Sequence, residues 1–301
     1  MFAPRRVYTV PLTHGALLLG ERPLVMGIVN VTPDSFAEGA RRLDPARAID
    51  AALQMEAEGA DIVDVGGEST RPGAEPVAAE EELARILPVL EDLARRLRIP
   101  ISVDTYKADV ARAALEVGAG LINDVSGLRY DPELGSVVAE YGAAIVLMHT
   151  RGRSKAMYVE AAYADVVTEV VAELRESVAI ATAAGIPFDR VIVDPGIGFA
   201  KRPPDSYGVL ARLPELAAAL DRPLLVGASR KSFLQEATGG RPAAERDWGT
   251  AAAVTAAVLG GAHIVRVHAV GEMTQVVRTA EEIRKAGLAG RGVRLQADQS
   301  G

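Results

Sequence analysis

Pro100–Val125 reads PISVDTYKADVARAALEVGAGLINDV, and the reading of this stretch decides the fold. A short apolar run, Pro100–Val103, ends in Asp104. A helical pattern, Lys107–Val117, follows. Val117-Gly118-Ala119-Gly120 then leads into a second apolar run, Leu121–Ile122, which ends in Asn123-Asp124. The runs are nearly continuous in apolar residues, as parallel strands covered on both faces are. A glycine after the last periodic residue is what a helix uses to stop and turn back. The unit is strand, helix, strand, with a polar residue at the C-terminal end of each strand.

The same unit recurs in both directions. Further strand runs are Leu24–Val29, Asp61–Val65, Ala144–Met148, Val191–Val193, Pro223–Val226 and His263–Val267. Helical patterns lie at Pro45–Glu58, Glu80–Leu97, Pro132–Tyr141, Tyr158–Ala184, Asp205–Leu220, Ala251–Leu259 and Glu272–Ala286. Eight β-then-α units in about 250 residues fit a single (β/α)8 TIM barrel of the α/β class. A doubly wound open sheet is the competing arrangement of the same alternation. Val7–Val10 and Ala16–Leu19, around Thr13-His14-Gly15, read as an N-terminal β-hairpin at the barrel bottom. Residues 1–288 are expected to form one domain, and the polar stretch 289–301 a flexible tail.

Composition narrows the function. The 301 residues carry a net charge of −7 without a basic run, which disfavours nucleic-acid binding. The absence of cysteine excludes disulfides and thiolate metal sites. No apolar run approaches the roughly 20 residues that span a bilayer, so no membrane partner is expected. Met1–Val10 lacks the apolar core of a signal peptide. A cytoplasmic protein is the expectation.

In a TIM barrel the chemistry sits at the C-terminal strand ends. Those ends carry Asn30, Asp64, Asp104, Asn123-Asp124, His149, Asp194, Lys231 in the Gly227–Ser232 turn, and Arg266 with His268. Singly, an Asp or Asn there is an ordinary loop cap. Together, so many polar groups at one mouth are costly unless they bind something. Asp104, Asn123 and Asp194 suit the N–H groups of an aminopyrimidinone ring. Arg71, Lys231, Arg266 and His268 suit phosphate or carboxylate. Strands 7 and 8 are also the usual phosphate corner of such barrels. The expected pocket has a heterocycle below and an anion above.

Several stretches then resemble one family. Met26–Phe36 (MGIVNVTPDSF) and Asp64–Gly73 (DVGGESTRPG) are similar to the first two signatures of dihydropteroate synthases. Ser102–Thr105, Ile122–Gly127, Leu147–His149, Asp194–Phe199, Gly227–Ser232 and Arg266–His268 follow in the family's order. The resemblance implies a transferase of folate biosynthesis that joins a pterin diphosphate to p-aminobenzoate. It implies a pterin site of Asp64, Asp104, Ile122, Asn123, Met148, Asp194, Phe199, Gly227 and Lys231. Diphosphate would be held by Asn30, Thr70, Arg71, Arg266 and His268, with Asn30 also a ligand of Mg2+. Phe36, Arg71, Pro72, Phe199, Lys231 and Ser232 would shape the p-aminobenzoate site. Asp104, Lys231 and Arg71 would be the catalytic residues of an SN1-like substitution. A homodimer through the late helices is implied as well. Loops Val31–Arg42 and Gly66–Val77 would close over diphosphate and order the binding.

Two rival functions are weighed. A pterin-dependent corrinoid methyltransferase shares the barrel and the acids but needs no anion clamp, and the clamp residues are present here. A non-catalytic pterin-binding barrel would have lost Arg71, Lys231 or Asn30, and none is missing. Blander readings apply elsewhere. His149 would serve a loop backbone group, and His14 and His263 would be structural or at the surface. Glu68–Arg71 would otherwise form a surface ion-pair patch, and Trp248 with Arg241–Asp247 scaffold or interface. Ala200 replaces a glycine commoner in the family, which matters only if that position needs positive φ. Lys201 is expected to be dispensable for activity.

Overall fold

A short antiparallel pair, β1 (Tyr8–Pro11) and β2 (Ala16–Leu19), precedes the main sheet. Eight parallel strands follow: β3 (Leu24–Asn30), β4 (Ile62–Gly66), β5 (Ile101–Asp104), β6 (Leu121–Asp124), β7 (Ala144–Met148), β8 (Val191–Asp194), β9 (Leu225–Val226) and β10 (Ile264–Val267). Their order is β8-β7-β6-β5-β4-β3-β10-β9, and a parallel bridge from Val193 to Leu224 brings the two ends together. The result is the expected (β/α)8 barrel with its N-terminal hairpin. The computed structural model describes residues 2, 4–32, 44–69, 73–153, 158–159 and 161–297, with side chains as far as 289.

The helices between strands are α1 (Pro45–Ala57), α2 (Ala79–Arg96), α3 (Ala108–Glu116), α4 (Leu134–Glu140), α5 (Val166–Ala183), α6 (Pro203–Ala211), α7 (Leu213–Leu220), α8 (Asp247–Leu259) and α9 (Val270–Ala297). Local chemistry marks their ends. Asp44 caps α1 through the Ala46 amide, with Pro45 in the first turn. Asp165 caps α5 through Thr168, so this helix begins at Val166 and not at Tyr158. The expected Asp205–Leu220 helix is two helices that meet at Arg212, with Pro214 in the first turn of the second. In α2, Glu80–Glu82 and Arg95–Arg96 lie at the dipole ends that favour them. The backbone of α9 continues past the expected end at Ala286 to Ala297.

The two-residue period of each strand builds two cores. Val63, Val65, Val103, Ile122, Leu147, Val193, Val265 and Val267 face the helical layer. Met26, Ile62, Leu121, Val146, Ile192, Leu225 and Ile264 fill the barrel interior, where Val10, Leu12, Leu17 and Leu19 join them from the hairpin side. The hairpin therefore plugs the N-terminal end, and the interior opens only toward the C-terminal ends of the strands. Among the described residues no helix is long and apolar enough to cross a membrane.

Candidate active site

The same period sorts the polar strand-end residues into two sets. Two positions on from the interior apolar layer, the inward face carries Asp64 after Ile62, Asn123 after Leu121, Asp194 after Ile192, Gly227 after Leu225 and Arg266 after Ile264. Asp104 follows Ser102 on the same face, and Met148 follows Val146. Asn30 and His268 stand half-buried above them at the mouth.

Arg266 organises the floor. Its Nε donates to Asp64 Oδ2 at 2.6 Å and its Nη2 to Asp104 Oδ2 at 2.7 Å. Asn123 Nδ2 donates to the same Asp64 oxygen at 2.9 Å. Asp64 Oδ1 and the neighbouring Ser102 Oγ are buried without a hydrogen-bond partner. Burial pushes the Asp104 carboxyl up to about 7, with Arg266 pulling the other way. Burial also raises Asp194, opposed chiefly by Lys231, and lowers Lys231 to about 8.

Lys231 reaches this floor because Arg230 turns away from it. Arg230 has φ +58, a left-handed conformation uncommon outside glycine. Its guanidinium pairs two-point with Asp247, both contacts at 2.7 Å. Arg246 donates to the Arg230 and Lys231 carbonyls. So braced, Lys231 Nζ donates to the Ile197 carbonyl at 2.7 Å and lies 4.4 Å from the Phe199 ring centroid. A Cβ added at Gly227 would come within 3.6 Å of Lys231 Nζ and 3.8 Å of Asp194 Oδ2. Glycine there keeps the space between these charges open. Just after β10, His268 Nδ1 and Ser229 Oγ are 2.9 Å apart, which sets the imidazole plane.

Residues 26–268, the span that contains all these groups, match the Pterin binding enzyme family. A dihydropteroate synthase of Synechocystis sp. is 44% identical over 275 residues, 91% of this chain and 95% of that protein. The chain belongs to the dihydropteroate synthase family. The solved structure of the Xanthomonas albilineans dihydropteroate synthase with 4-aminobenzoic acid superposes with a TM-score of 0.86 at 42% identity, covering 93% of this chain and 99% of that one. The Burkholderia cenocepacia dihydropteroate synthase complexed with 7,8-dihydropteroate gives 0.84 at 42% identity, covering 96% and 100%.

Three residues that the sequence puts at strand ends do not join the pocket of this dihydropteroate synthase family member. Ile122 is fully buried in the outer core, on the face of β6 opposite Leu121 and Asn123. It packs on the helices and cannot line a pterin face. The alternation that turns Ile122 outward favours Val125, two positions beyond Asn123 and 9% exposed, as the apolar group nearest that edge. Asp124 also faces outward, where it accepts from the Ser126 and Leu128 amides. His149 contacts Glu173 on α5 and Lys201.

Lys201 corrects the expectation most. It is only 1% exposed, and its Nζ meets His149 Nδ1 at 2.7 Å and the carbonyls of Gly196 and Phe199 at 3.1 Å each. A side chain so placed is an enclosed part of the loop and not a surface charge. The loop it holds, Asp194–Lys201, has positive φ at every second residue: Gly196 at +66, Gly198 at +78 and Ala200 at +46. A Cβ at Gly196 would lie 1.9 Å from the His149 carbonyl oxygen, so only glycine fits there. Ala200 tolerates the same backbone at a cost of about 1–2 kcal/mol. Ala200→Gly is therefore expected to stabilise the protein by about 0.5–1 kcal/mol after the glycine's larger unfolded-state entropy is counted. Urea unfolding checks this, and a lower midpoint for the variant at equal slope would refute the strain.

Glu68 is largely buried in an ion-pair network and not a surface charge. It accepts from Tyr106 Oη at 2.9 Å and from the Val77 amide at 3.3 Å, and it pairs with Lys107, which also pairs with Glu82. Burial raises Glu82 above the ordinary carboxylate value, against the pull of Lys107. These groups tie the two ends of the β4–α2 connection to the start of α3. Sequence spacing gave no sign of Lys107 or Glu82. Ser232 is exposed at the start of a 3-10 turn, with Tyr158 Oη at 3.3 Å from its hydroxyl. Phe36, Thr70, Arg71 and Pro72 lie outside the described residues, as do residues 33–42 and 70–72 of the two loops expected to order binding.

Proposed function

We propose that this enzyme displaces diphosphate from (7,8-dihydropterin-6-yl)methyl diphosphate with the amine of p-aminobenzoate, giving 7,8-dihydropteroate. The observation that carries the reading is the inward set Asp64, Asp104, Asn123, Asp194, Lys231 and Arg266 at the open end of the barrel, in a chain so similar to dihydropteroate synthases. The carboxylate oxygen left unpaired on Asp64 and the Ser102 hydroxyl suit the donors and acceptors of a flat, amino-substituted ring.

In this reading Asp104, Asn123, Asp194 and Lys231 hold the pterin edge, and Met148 and Gly227 flank it. Arg266 spends Nε and Nη2 on the floor acids, while Nη1 makes no hydrogen bond among the described residues and is the part offered to diphosphate. His268, oriented by Ser229, stands beside it. Thr70 and Arg71 complete the diphosphate set. Phe36, Arg71, Pro72, Phe199, Lys231 and Ser232 form the p-aminobenzoate site. The aromatic amine is a weak nucleophile, so departure of diphosphate leads in an SN1-like substitution. Donors on the leaving group stabilise the charge that develops there. Asp104, poorly solvated, stabilises in its carboxylate form the positive charge that develops on the pterin, and with a value raised to about 7 that form gains as the pH rises.

Asn30 fits a Mg2+ ion carried with diphosphate. It offers one hard oxygen at the mouth, makes no side-chain hydrogen bond among the described residues, and Mg2+ usually takes few protein ligands beside phosphate and water. Such an ion would neutralise charge on the leaving diphosphate. The same proposal includes a homodimer through the late helices, where Trp248 at the start of α8 is 89% exposed, and a cytoplasmic location.

The test is release of diphosphate by the purified full-length chain with the pterin diphosphate and Mg2+. Release should depend on p-aminobenzoate and match the 7,8-dihydropteroate formed. Folded protein that released none would defeat the reading.

A further inference from the structure

Lys201 lies outside the set assigned to either substrate, yet its surroundings are built with unusual completeness. Three acceptors surround Nζ: His149 Nδ1 and the carbonyls of Gly196 and Phe199. An ammonium has three N–H donors and no acceptor, so the protonated form fits all three. Burial lowers His149 to about 4, which keeps the imidazole neutral near pH 7. A neutral imidazole then has one assignment that satisfies both neighbours. Its Nε2–H donates to Glu173 Oε2 at 3.1 Å, and Nδ1 accepts from Lys201. The opposite tautomer would set a lone pair against the Glu173 carboxylate. Glu173 itself is held below the carboxylate range by His149 and Arg151, although burial acts the other way. Burial draws Lys201 down to about 7; Asp194 opposes that most, and Glu173, one imidazole away, adds to it.

The carbonyls that Lys201 grips belong to the loop that carries Phe199. Other attachments of that loop include Tyr163 Oη to the Ala200 carbonyl at 2.9 Å, the Gly198 amide to Ser206 Oγ at 3.2 Å, the Gly196 amide to Asp194 Oδ1 at 2.7 Å, and Lys231 to the Ile197 carbonyl. The Phe199 amide closes a turn onto the Gly196 carbonyl at 3.0 Å, and Lys201 is the side chain that grips both ends of that turn, at the Gly196 and Phe199 carbonyls. The Phe199 ring faces Lys231 Nζ on the pocket side, and Lys201 grips the backbone of the same residue from behind.

We propose that Lys201, backed by His149 and Glu173, is a positioning residue that fixes Phe199 against Lys231 and so shapes the p-aminobenzoate site. This rests on the synthase reading for the identity of the ligand, but the clamp itself does not. Its substitution should act on the second substrate more than on the first, because Asp194 is held by strand β8 and takes its main counter-charge from Lys231, with Lys201 contributing less.

The experiment compares full-length wild type, Lys201→Met and Glu173→Gln. Lys201→Met is expected to raise KM for p-aminobenzoate at least about tenfold while KM for the pterin diphosphate stays within about threefold. Amide hydrogen exchange across residues 196–200 should quicken in the same variant. Glu173→Gln should shift both readouts the same way by less, since the amide oxygen still accepts from His149 while the Glu173 charge is gone. Should Lys201→Met fail to fold, Glu173→Gln carries the test, as that side chain is 20% exposed and lies at the solvent end of the chain of contacts. A folded Lys201→Met with wild-type exchange in the loop, or with both KM values raised equally, would overturn the proposal. So would Glu173→Gln with neither readout moved. A wild type that releases no diphosphate would refute the synthase reading, and the exchange measurement would still decide the clamp.

Discussion

Lys231→Ala is expected to lower kcat/KM for diphosphate release by about 10²–10³-fold, the cost of losing one charged donor from a preorganised site. Three features of the structure make the loss large. Lys231 Nζ stands on the pocket floor with a pKa drawn down to about 8 by burial, so its charge is poorly solvated and acts strongly on a bound ligand. It is the main charge opposing the burial of Asp194, so its removal leaves that carboxylate to the weaker support of the Gly196 amide, Lys201 and Arg266. It fixes the Ile197 carbonyl and lies against Phe199, both in the neighbouring loop. The fold should survive, since Arg230 and Arg246 brace the turn without the lysine side chain. Lys201→Ala is not a fair control, because that lysine is buried. Lys285→Ala is, since Lys285 is exposed on α9 in an i,i+3 pair with Glu282. Steady-state diphosphate release decides the matter. A Lys231→Ala enzyme within a few-fold of wild type would remove Lys231 from the site.

Arg266→Met should destabilise the fold by about 3–5 kcal/mol near pH 8, the usual effect of breaking a buried ion pair from one side. That is a large share of the roughly 5–15 kcal/mol that holds a domain together. Among the described residues Arg266 is the one cation that pairs with both Asp64 and Asp104, and Asp64 is wholly buried. The pH dependence follows from Asp104. Its folded pKa, about 7, already lies above the unfolded carboxylate value, and loss of Arg266 raises it further. A carboxyl shifted upward costs stability above its folded pKa and costs nothing once both states are protonated. The deficit of Arg266→Met should therefore be greatest above pH 8 and shrink as the pH falls toward 5, where Asp104 takes a proton. Urea unfolding of both proteins at the two pH values measures it. An equal deficit at both would mean that the arginine contributes packing and not charge compensation.

Much of this was legible in the chain. Uninterrupted apolar runs, each followed by a helical pattern, specify a parallel barrel because only strands covered on both faces can dispense with alternation. A barrel in turn specifies that strand-end residues share one mouth. Asp104, Asn123, Asp194, Lys231 and Arg266 follow from that rule. The rule is silent on which face a strand-end residue takes, and there the sequence reading slipped. Ile122 and Asn123 are neighbours, so one must point to the helices when the other points to the pocket. Asp124 and His149 went outward for the same reason, while Met148 stayed inside.

Lys201 shows a second limit. One-dimensional spacing cannot tell a lysine at the surface from one enclosed by carbonyls, because its partners, His149 and Glu173, lie 52 and 28 residues away. The need for positive φ at Ala200 was likewise a question that the chain could pose and only the folded loop could answer.

The mouth described at the strand ends by sequence alone thus keeps its place, its acids and its lysine. What the sequence determined is periodic and local: strand against helix, buried against exposed, and the class of residue at each strand end. What the tertiary structure decided is convergence across strands. Arg266 links Asp64 and Asp104 across 202 and 162 residues of chain, Arg230 turns away so that Lys231 can enter, and a buried lysine holds the loop beside it. Those contacts depend on distances between segments that share no local pattern, and only closure of the barrel sets them.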